Sequence, residues 1–394
     1  MFVRQTAILC ALGILSLLGG SESKWHTALL GKYETKSWRT ALSQLRQDAW
    51  KINFHELSRN RRLNEVTLSS LFKRFVLLFE RPYIDDESEY VKRQAIFKNG
   101  LIRQASLNVE EEKYKTKAVF GINKFSDWSE GEFRGLLRSH QMRKTVDAVP
   151  NSQMFQAIQE ESAKENGDCT YKSVTPPETA DWRKERKTTE IKNQGNCGSC
   201  WAFVATEQTE TFSAITDKAL EDLSVQEFIS CAPSLGCNGG NTCEVLAWLA
   251  SATYNGSRYH LVSASEYPYE AKETACKYQK TSMEGATISG VCGCTSMVNN
   301  ELAMVQVVAQ KGPLAVNVNS VLWHDYVGGI IQRHCTNKTI NHAVQLVGYD
   351  LSGPVPYWIA RNSWGPDFGE DGYLRIKYGG NLCGLAEEPS FILI

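Results

Sequence analysis

Gln194-Gly195-Asn196-Cys197-Gly198-Ser199-Cys200-Trp201-Ala202-Phe203 is the most informative stretch of the chain. Glycines and a serine open a turn, and a helical pattern then runs from Cys200 to Ile215. Cys200 therefore falls at a helix N-terminus. There the unpaired N–H groups and the positive end of the helix dipole favour a thiolate over a thiol. Only the thiolate is a good nucleophile, so this position draws the thiol pKa toward working pH.

A nucleophilic thiol needs a base within hydrogen-bond reach and a third group that orients the base. Four histidines follow Cys200: His260, His324, His334 and His342. His342 is the best candidate, because it opens the apolar strand Ala343–Val347. Asn362 lies in Arg361-Asn362-Ser363-Trp364-Gly365, directly after the strand Tyr357–Ala360. Adjacent strands would bring imidazole and amide together, and an amide oxygen accepts from a ring N–H without adding charge. Trp364 would keep water from that bond. The Gln194 amide and the Cys200 backbone N–H would face a developing oxyanion, each such donor being worth ~3 kcal/mol. The competing reading of Gln194 is a loop residue bonded to water.

Residues 200–280 read mostly as helices and residues 285–394 mostly as strands, which points to an α+β class. These strings, with Asn341-His342-Ala343, resemble the papain-like cysteine proteases, whose signature is Cys-Gly-[Ser/Ala]-Cys-[Trp/Tyr] with His and Asn downstream. Cys237-Asn238-Gly239-Gly240, Tyr267-Pro268-Tyr269 and Cys383-Gly384 belong to the same resemblance, which covers nearly all of 176–394. Leu322–Ile331 looks most like the cathepsin O branch. His342 falls within the family's ~130–150-residue spacing from the cysteine, and Asn362 somewhat beyond it. An insertion near Ser352–Val355 would account for the difference.

The resemblance implies a two-lobed fold, with a mainly helical lobe and a β-barrel-like lobe flanking the active-site cleft. It implies a cysteine endopeptidase with Cys200, His342 and Asn362 as catalytic residues, Gln194 and Cys200 at the oxyanion, and Trp364 in support. Substrate would bind along Gly239, Gly240, Asn241, Thr242, Asn317, Ile340, Asn341, Ala343 and Glu388. Glu388 takes the floor of the main pocket, where a carboxylate admits a basic side chain by charge complementarity; the competing reading turns it to solvent. Protein and peptide substrates are expected, with no metal and no organic cofactor.

The chain has 12 cysteines. Cys10 lies in an N-terminal leader, and the other 11 enter an oxidising compartment, where the odd count weakly suggests an unpaired thiol. The resemblance implies bridges Cys197–Cys237, Cys231–Cys276 and Cys335–Cys383. Cys169, Cys243, Cys292 and Cys294 have no counterpart in it. Cys292 and Cys294 point to one face of a strand, so mutual pairing is strained. If cleavage near Thr175 removes Cys169, a bridge from Cys243 to Cys292 or Cys294 is expected.

Arg4 and the apolar run Ala7–Leu18 read as a secretory signal peptide over residues 1–23. Residues 24–70 are a polar, helix-favouring extension containing Trp25, Trp38 and Trp50, without evident chemistry. Residues 71–138 form the next segment, which reads as helical from Leu71 to about Leu107. Pro82 interrupts the pattern, and Glu89, Arg93 and Phe97 recur at steps of four on one helix face. Gly121–Asp127 reads as a turn followed by a short strand. With Asn108, Gly121, Asn123, Phe125 and Asp127, this segment resembles the family's inhibitory prodomain, which would run through the cleft against the substrate direction. Gly100 and Gln104 depart from that motif, where Asn and Ile are usual, so the helix packing there is open. Residues 139–175 read as a linker with the activation cleavage region, and 176–394 as the peptidase domain.

Asn255 and Asn337 open N-glycosylation sequons. The net charge of −1 offers no footprint for nucleic acid, and no later segment has membrane-spanning length. A monomer is expected, its prodomain acting as an intramolecular inhibitor. Localisation follows the secretory pathway, to the lysosome by resemblance or outside the cell. Two rivals differ in class. A Cys197–Cys200 redox pair would reduce disulfides, and a catalytically silent homologue would bind other proteases.

Overall fold

The computed structural model describes residues 35–137, 169–216, 218–234, 236–278 and 285–394. The signal peptide and most of the expected linker lie outside them. The chain divides into two compact units, Met1–Lys98 and Asn99–Ile394.

The described part of the first unit is helical: α1 (Thr35–Trp50), α2 (Phe54–Asn60), α3 (Glu65–Leu78) and the start of α4 (Glu87–Tyr114). Asn64 caps α3 through its side chain, which accepts from the N–H groups of Val66 and Thr67. Phe72, Phe75 and Phe97 are fully buried and pack ring on ring, with centroids 5.0–6.2 Å apart. On the same face of α4, Arg93 donates to Glu89 at 2.6 Å. Trp38 bonds the Leu78 carbonyl and meets Phe79 edge-on, while Trp50 is largely exposed. α3 runs through the expected boundary at 70/71, with Leu68, Leu71 and Phe72 on one buried face.

The second unit holds the rest of α4, β1 (Val119–Phe120) and α5 (Glu130–Leu136), then the elements from residue 169 onward, the expected catalytic part. The Gly121–Asp127 expectation is reversed, since the strand precedes the turn. Asn108 clamps that strand by bonding both backbone groups of Phe120, at 2.7 and 3.0 Å. The catalytic part begins with β2 (Thr179–Asp181), followed by helices α6 (Cys200–Ile215), α7 (Val225–Cys231) and α8 (Thr242–Ser251). A small hairpin, β3 (Thr253–Tyr254) and β4 (Ser257–Arg258), carries exposed Asn255 at its tip. Asn337 is exposed as well.

Then come β5 (Gly290–Gly293), α9 (Glu301–Gln310), β6 (Leu314–Val318), β7 (Tyr326–Gly328), β8 (Ile330–Ile331), β9 (His342–Asp350), β10 (Tyr357–Arg361), β11 (Tyr373–Lys377) and β12 (Ser390–Leu393). Eight strands form one sheet in the order β5-β12-β6-β9-β10-β11-β8, with β2 also pairing β9. Every residue of α6 from Cys200 to Ala214 is buried, so this helix is a core element rather than an amphipathic one. It packs against α7 and α8 on one side and β6, β9 and β12 on the other. Helices therefore face strands across the element that begins with Cys200.

Five disulfides brace this part: Cys197–Cys237, Cys231–Cys276, Cys335–Cys383, Cys243–Cys294 and Cys169–Cys292. Cys292 and Cys294 take separate partners. Cys294 lies just beyond β5 with φ +57°, which turns it off the strand's path toward α8. The Cys243–Cys294 bridge is one of the two expected pairings, and Cys169, which had no counterpart in the resemblance, is bonded to β5.

Candidate active site

Cys200 opens α6 and takes no part in a disulfide. Its side chain packs in one buried cluster with Val204, Ala315 and Ala343, which joins the helix to β6 and β9 beside His342. His342 opens β9 opposite Val318, and Asn362 follows β10, the neighbour of β9 on its other side. The register brings the two side chains together. His342 Nε2 lies 2.7 Å from Asn362 Oδ1. An amide oxygen only accepts, so Nε2 carries the proton and Nδ1 keeps its lone pair. That Nδ1 is buried with no hydrogen-bond partner. Burial pushes the His342 pKa down to about 4, with Asn362 pulling the other way. The imidazole is therefore neutral and has its basic nitrogen available.

Trp364 stacks on the His342 ring at 4.7 Å between centroids, and Trp323 meets it edge-on at 6.1 Å. Both indoles are buried and keep water from the imidazole–amide bond. Gln194 is not a solvated loop residue. It is fully buried; its Nε2 donates to the Cys197 carbonyl at 2.8 Å, and its Oε1 accepts from Ser363 Oγ at 2.7 Å. These contacts fix the amide plane beside the start of α6.

Sequence reasoning passed over three supports. Tyr269 donates to the Gln194 carbonyl at 2.7 Å and lies 2.9 Å from Ser199 Oγ, joining the turn to the helix start. Burial pushes its phenol up to about 12, so it stays a donor. Ser363 orients Gln194. Arg361, fully buried beside Asn362, bonds Thr189 Oγ1 and the Glu190 carbonyl and lies 3.3 Å from Glu207 of α6. It ties the strand that carries Asn362 to the helix that carries Cys200. Only the Arg-Asn-Ser-Trp string hinted at these roles, because the partners lie far along the chain.

Two of the expected pocket residues, Asn241 and Asn317, converge on Glu388. Its carboxylate accepts from Asn317 Nδ2 at 2.7 Å and Asn241 Nδ2 at 3.0 Å, so it does not turn to solvent. Thr242 reaches the Trp201 carbonyl. A Cβ on Gly240 would lie 2.4 Å from the Trp201 ring, so only glycine lets that backbone rest on the indole. Asn341 turns its oxygen to the Ser320 N–H and hydroxyl. Gly239 precedes Gly240 with φ +122°, Ile340 is buried, and Ala343 of β9 stands opposite Asn317 of β6. Of the other histidines, His324 lies 2.8 Å from the Phe125 carbonyl and His334 2.7 Å from Glu111, so both face the upstream segment.

The stretch from Asn99 to Leu137 is built onto this site. β1 pairs antiparallel with β7, Phe120 opposite Tyr326, as an added strand. The Lys117 carbonyl would lie 1.8 Å from a Cβ on Gly329, so glycine there admits the strand. Arg103 bonds both carboxylate oxygens of buried Asp325, and Gln104 Nε2 donates to Oδ1 at 2.9 Å. The helix packing left open by the motif departures is thereby explained. Gln104 supplies a donor to a buried charge, and a Cβ on Gly100 would already sit 3.1 Å from the Ser126 carbonyl. Asn123 donates to the His324 carbonyl, and Phe133 stacks on the His324 ring at 4.4 Å. Phe125 and Phe133 both meet the Trp364 ring edge-on. Asp127 is buried within the same turn.

Residues 176–393 match the papain family cysteine protease description, and residues 72–133 match the cathepsin propeptide inhibitor domain (I29). The chain belongs to the papain family of cysteine proteases. Human cathepsin O is similar, at 38% identity over 304 residues, covering 77% of this chain and 88% of that protein. Mouse cathepsin O is 33% identical over 304 residues, covering 77% and 90%. The structure of digestive procathepsin L 3 from Tenebrio molitor larval midgut matches with a TM-score of 0.69 at 28% identity, covering 83% of this chain and 99% of that one. This papain-family chain is thus a cysteine peptidase with an I29 pro-region, in an α+β fold shared with proenzymes.

Proposed function

We propose that the chain is a latent cysteine endopeptidase that cleaves peptide bonds through a thiol acyl-enzyme formed on Cys200. The neutral His342 carries the reading, with one nitrogen bonded to Asn362 and the other bare. Nδ1 accepts the Cys200 proton, the thiolate attacks the peptide carbonyl, and the imidazolium returns the proton to the leaving amine. Water then hydrolyses the thioester. The Gln194 amide and the Cys200 N–H stabilise the oxyanion. The Cys197–Cys237 bond engages the other cysteine of the C-x-x-C, which leaves no redox pair there. Processed enzyme should be labelled at Cys200 by an epoxide-type thiol inhibitor and lose peptidase activity with it; labelling elsewhere with activity retained would overturn the reading.

Asn362→Ala removes a hydrogen bond to a ring that becomes charged, about 1.5–2 kcal/mol, so kcat should fall about 10–30-fold with KM nearly unchanged. A steady-state analysis that finds the loss in KM alone would refute this role.

The Glu388 carboxylate, held between two amides, forms the floor of the pocket for the second residue before the cut. Its charge favours Arg or Lys there. Peptide-library profiling should find a preference for Arg over Leu that disappears in Glu388→Gln. No such preference in the parent enzyme would sink the idea.

Release of the pro-region is acid-sensitive at Glu111. Its carboxylate lies 2.7 Å from His334 Nε2, with Glu110 3.7 Å from the other ring nitrogen. Burial raises the Glu111 pKa, but bonds from His334, Thr116 and the Ala118 N–H outweigh burial and hold it below the ordinary 4.5. A depressed carboxyl contributes fully above its free value, and the contribution is lost as pH falls through the bound value. The contact therefore weakens below about pH 4.5. Glu111→Gln should open at a higher pH in a titration of acid-triggered activity; coincident curves would exclude Glu111. An acidic degradative compartment such as the lysosome suits this behaviour.

A further inference from the structure

The chain is anchored to the catalytic part before the family match at residue 176 begins. Cys169 is bonded to Cys292, a buried residue of β5 that lies 123 positions downstream and opposite Phe391 of β12. Gln310 of α9 then bonds both backbone groups of Lys172, accepting from the N–H and donating to the carbonyl, each at 2.8 Å. Gln306, one turn earlier on α9, donates to the Val174 carbonyl. Tyr349 bonds the Pro177 carbonyl at 3.0 Å, and the Leu351 N–H bonds that of Glu178 at 2.7 Å. β2 continues directly onto β9. From Cys169 to Asp181 the backbone is fastened to the catalytic part, although the side chains of Lys172–Thr175 are exposed.

We propose that residues 169–175 stay with the mature enzyme, and that the Cys169–Cys292 bond makes the position of the activating cut decisive. A cut on the N-terminal side of Cys169 separates the pro-region from the catalytic part. A cut between Cys169 and β2 does not, because the pro-region continues into Cys169 and remains joined to Cys292. The severed inhibitor is then held at an effective concentration of about millimolar, which keeps the site occupied. A thiol reductant that converts the disulfide to two thiols releases it. The tether itself is independent of the peptidase reading; only its effect on activity rests on that reading.

The test uses the full-length Cys200→Ala protein, which cannot cut itself under the reading above. A recognition site for a sequence-specific protease is inserted either between residues 150 and 151 or between Lys172 and Ser173. On denaturing gels the first variant, once cut, should run as two chains with or without reductant. The second should keep its uncut mass until reductant is added. Adding Cys169→Ser to the second should separate the chains without reductant. Separation of the second variant without reductant would overturn the proposal, as would a mass-spectrometric map pairing Cys292 with any residue but Cys169. Restoring Cys200 then reads the consequence in a peptide assay without reductant. The first variant and the Cys169→Ser form should be active after cutting, and the second silent. Equal activity of the second variant would refute the regulatory role. Inactivity of all three beside the expected gel pattern would reject the peptidase reading and leave the tether standing.

Discussion

Cys200→Ser leaves a folded proenzyme whose processed form has lost on the order of 10⁴-fold or more in kcat/KM. The substitution keeps a nucleophile of similar size, so its effect isolates acidity. A thiol of ordinary pKa about 8.5 is brought within reach of a neutral imidazole by a helix N-terminus. An alcohol is many units less acidic, and this site was not built to deprotonate it. His342 Nδ1 has only Asn362 behind it, a neutral partner, and burial holds the ring pKa down to about 4. Folding should survive, because Cys200 is outside every disulfide and its neighbours Val204, Ala315 and Ala343 are small. The check is a fluorogenic peptide assay on protein processed in trans, beside a thermal melt. Retention of a tenth of the parent activity would remove Cys200 from its role.

Arg103→Ala should have the second-largest effect, and on latency rather than on catalysis. Asp325 is almost completely buried, and Arg103 covers it with two donors while Gln104 supplies a third. Truncating one partner of a buried charge pair leaves the other charge uncompensated, at a cost of about 3–5 kcal/mol. Because Gln104 remains, the lower end applies, a shift on the order of 100-fold in the closed–open equilibrium of the pro-region. Uncut proenzyme carrying Arg103→Ala should label with a thiol-directed inhibitor about 100-fold faster than the parent at neutral pH. Arg103→Lys should recover part of the difference, since one donor and the charge return. Unchanged labelling would mean that the strand β1 and the Phe125–Phe133 contacts hold the pro-region alone. The mature enzyme should be indifferent to the change.

Much of this site was legible along the chain because its signals are local. A turn of small residues ending in Ser199, followed by a helix whose first turns are apolar, places Cys200 at a terminus whatever surrounds it. β9 and β10 announce themselves by mostly apolar runs, and His342 and Asn362 stand at their ends. The supports were not legible. Nothing near Tyr269 says that its hydroxyl joins Gln194 to Ser199, and nothing near Arg361 names Glu207. Gln104 looked like a flaw in a helix motif until Asp325, more than two hundred positions on, supplied the charge it serves.

The sequence by itself determined the family and the candidates for nucleophile, base and orienting amide, because helix termini, strand ends and the order of reactive residues are properties of short segments. Tertiary structure alone decided which of them meet. It turned Glu388 inward between two amides, gave His342 its proton on Nε2, sent Cys294 to Cys243 and anchored Cys169 on β5. Each of these depends on sheet register and helix packing between distant segments. Moving a strand by one residue would turn its side chains to the opposite face.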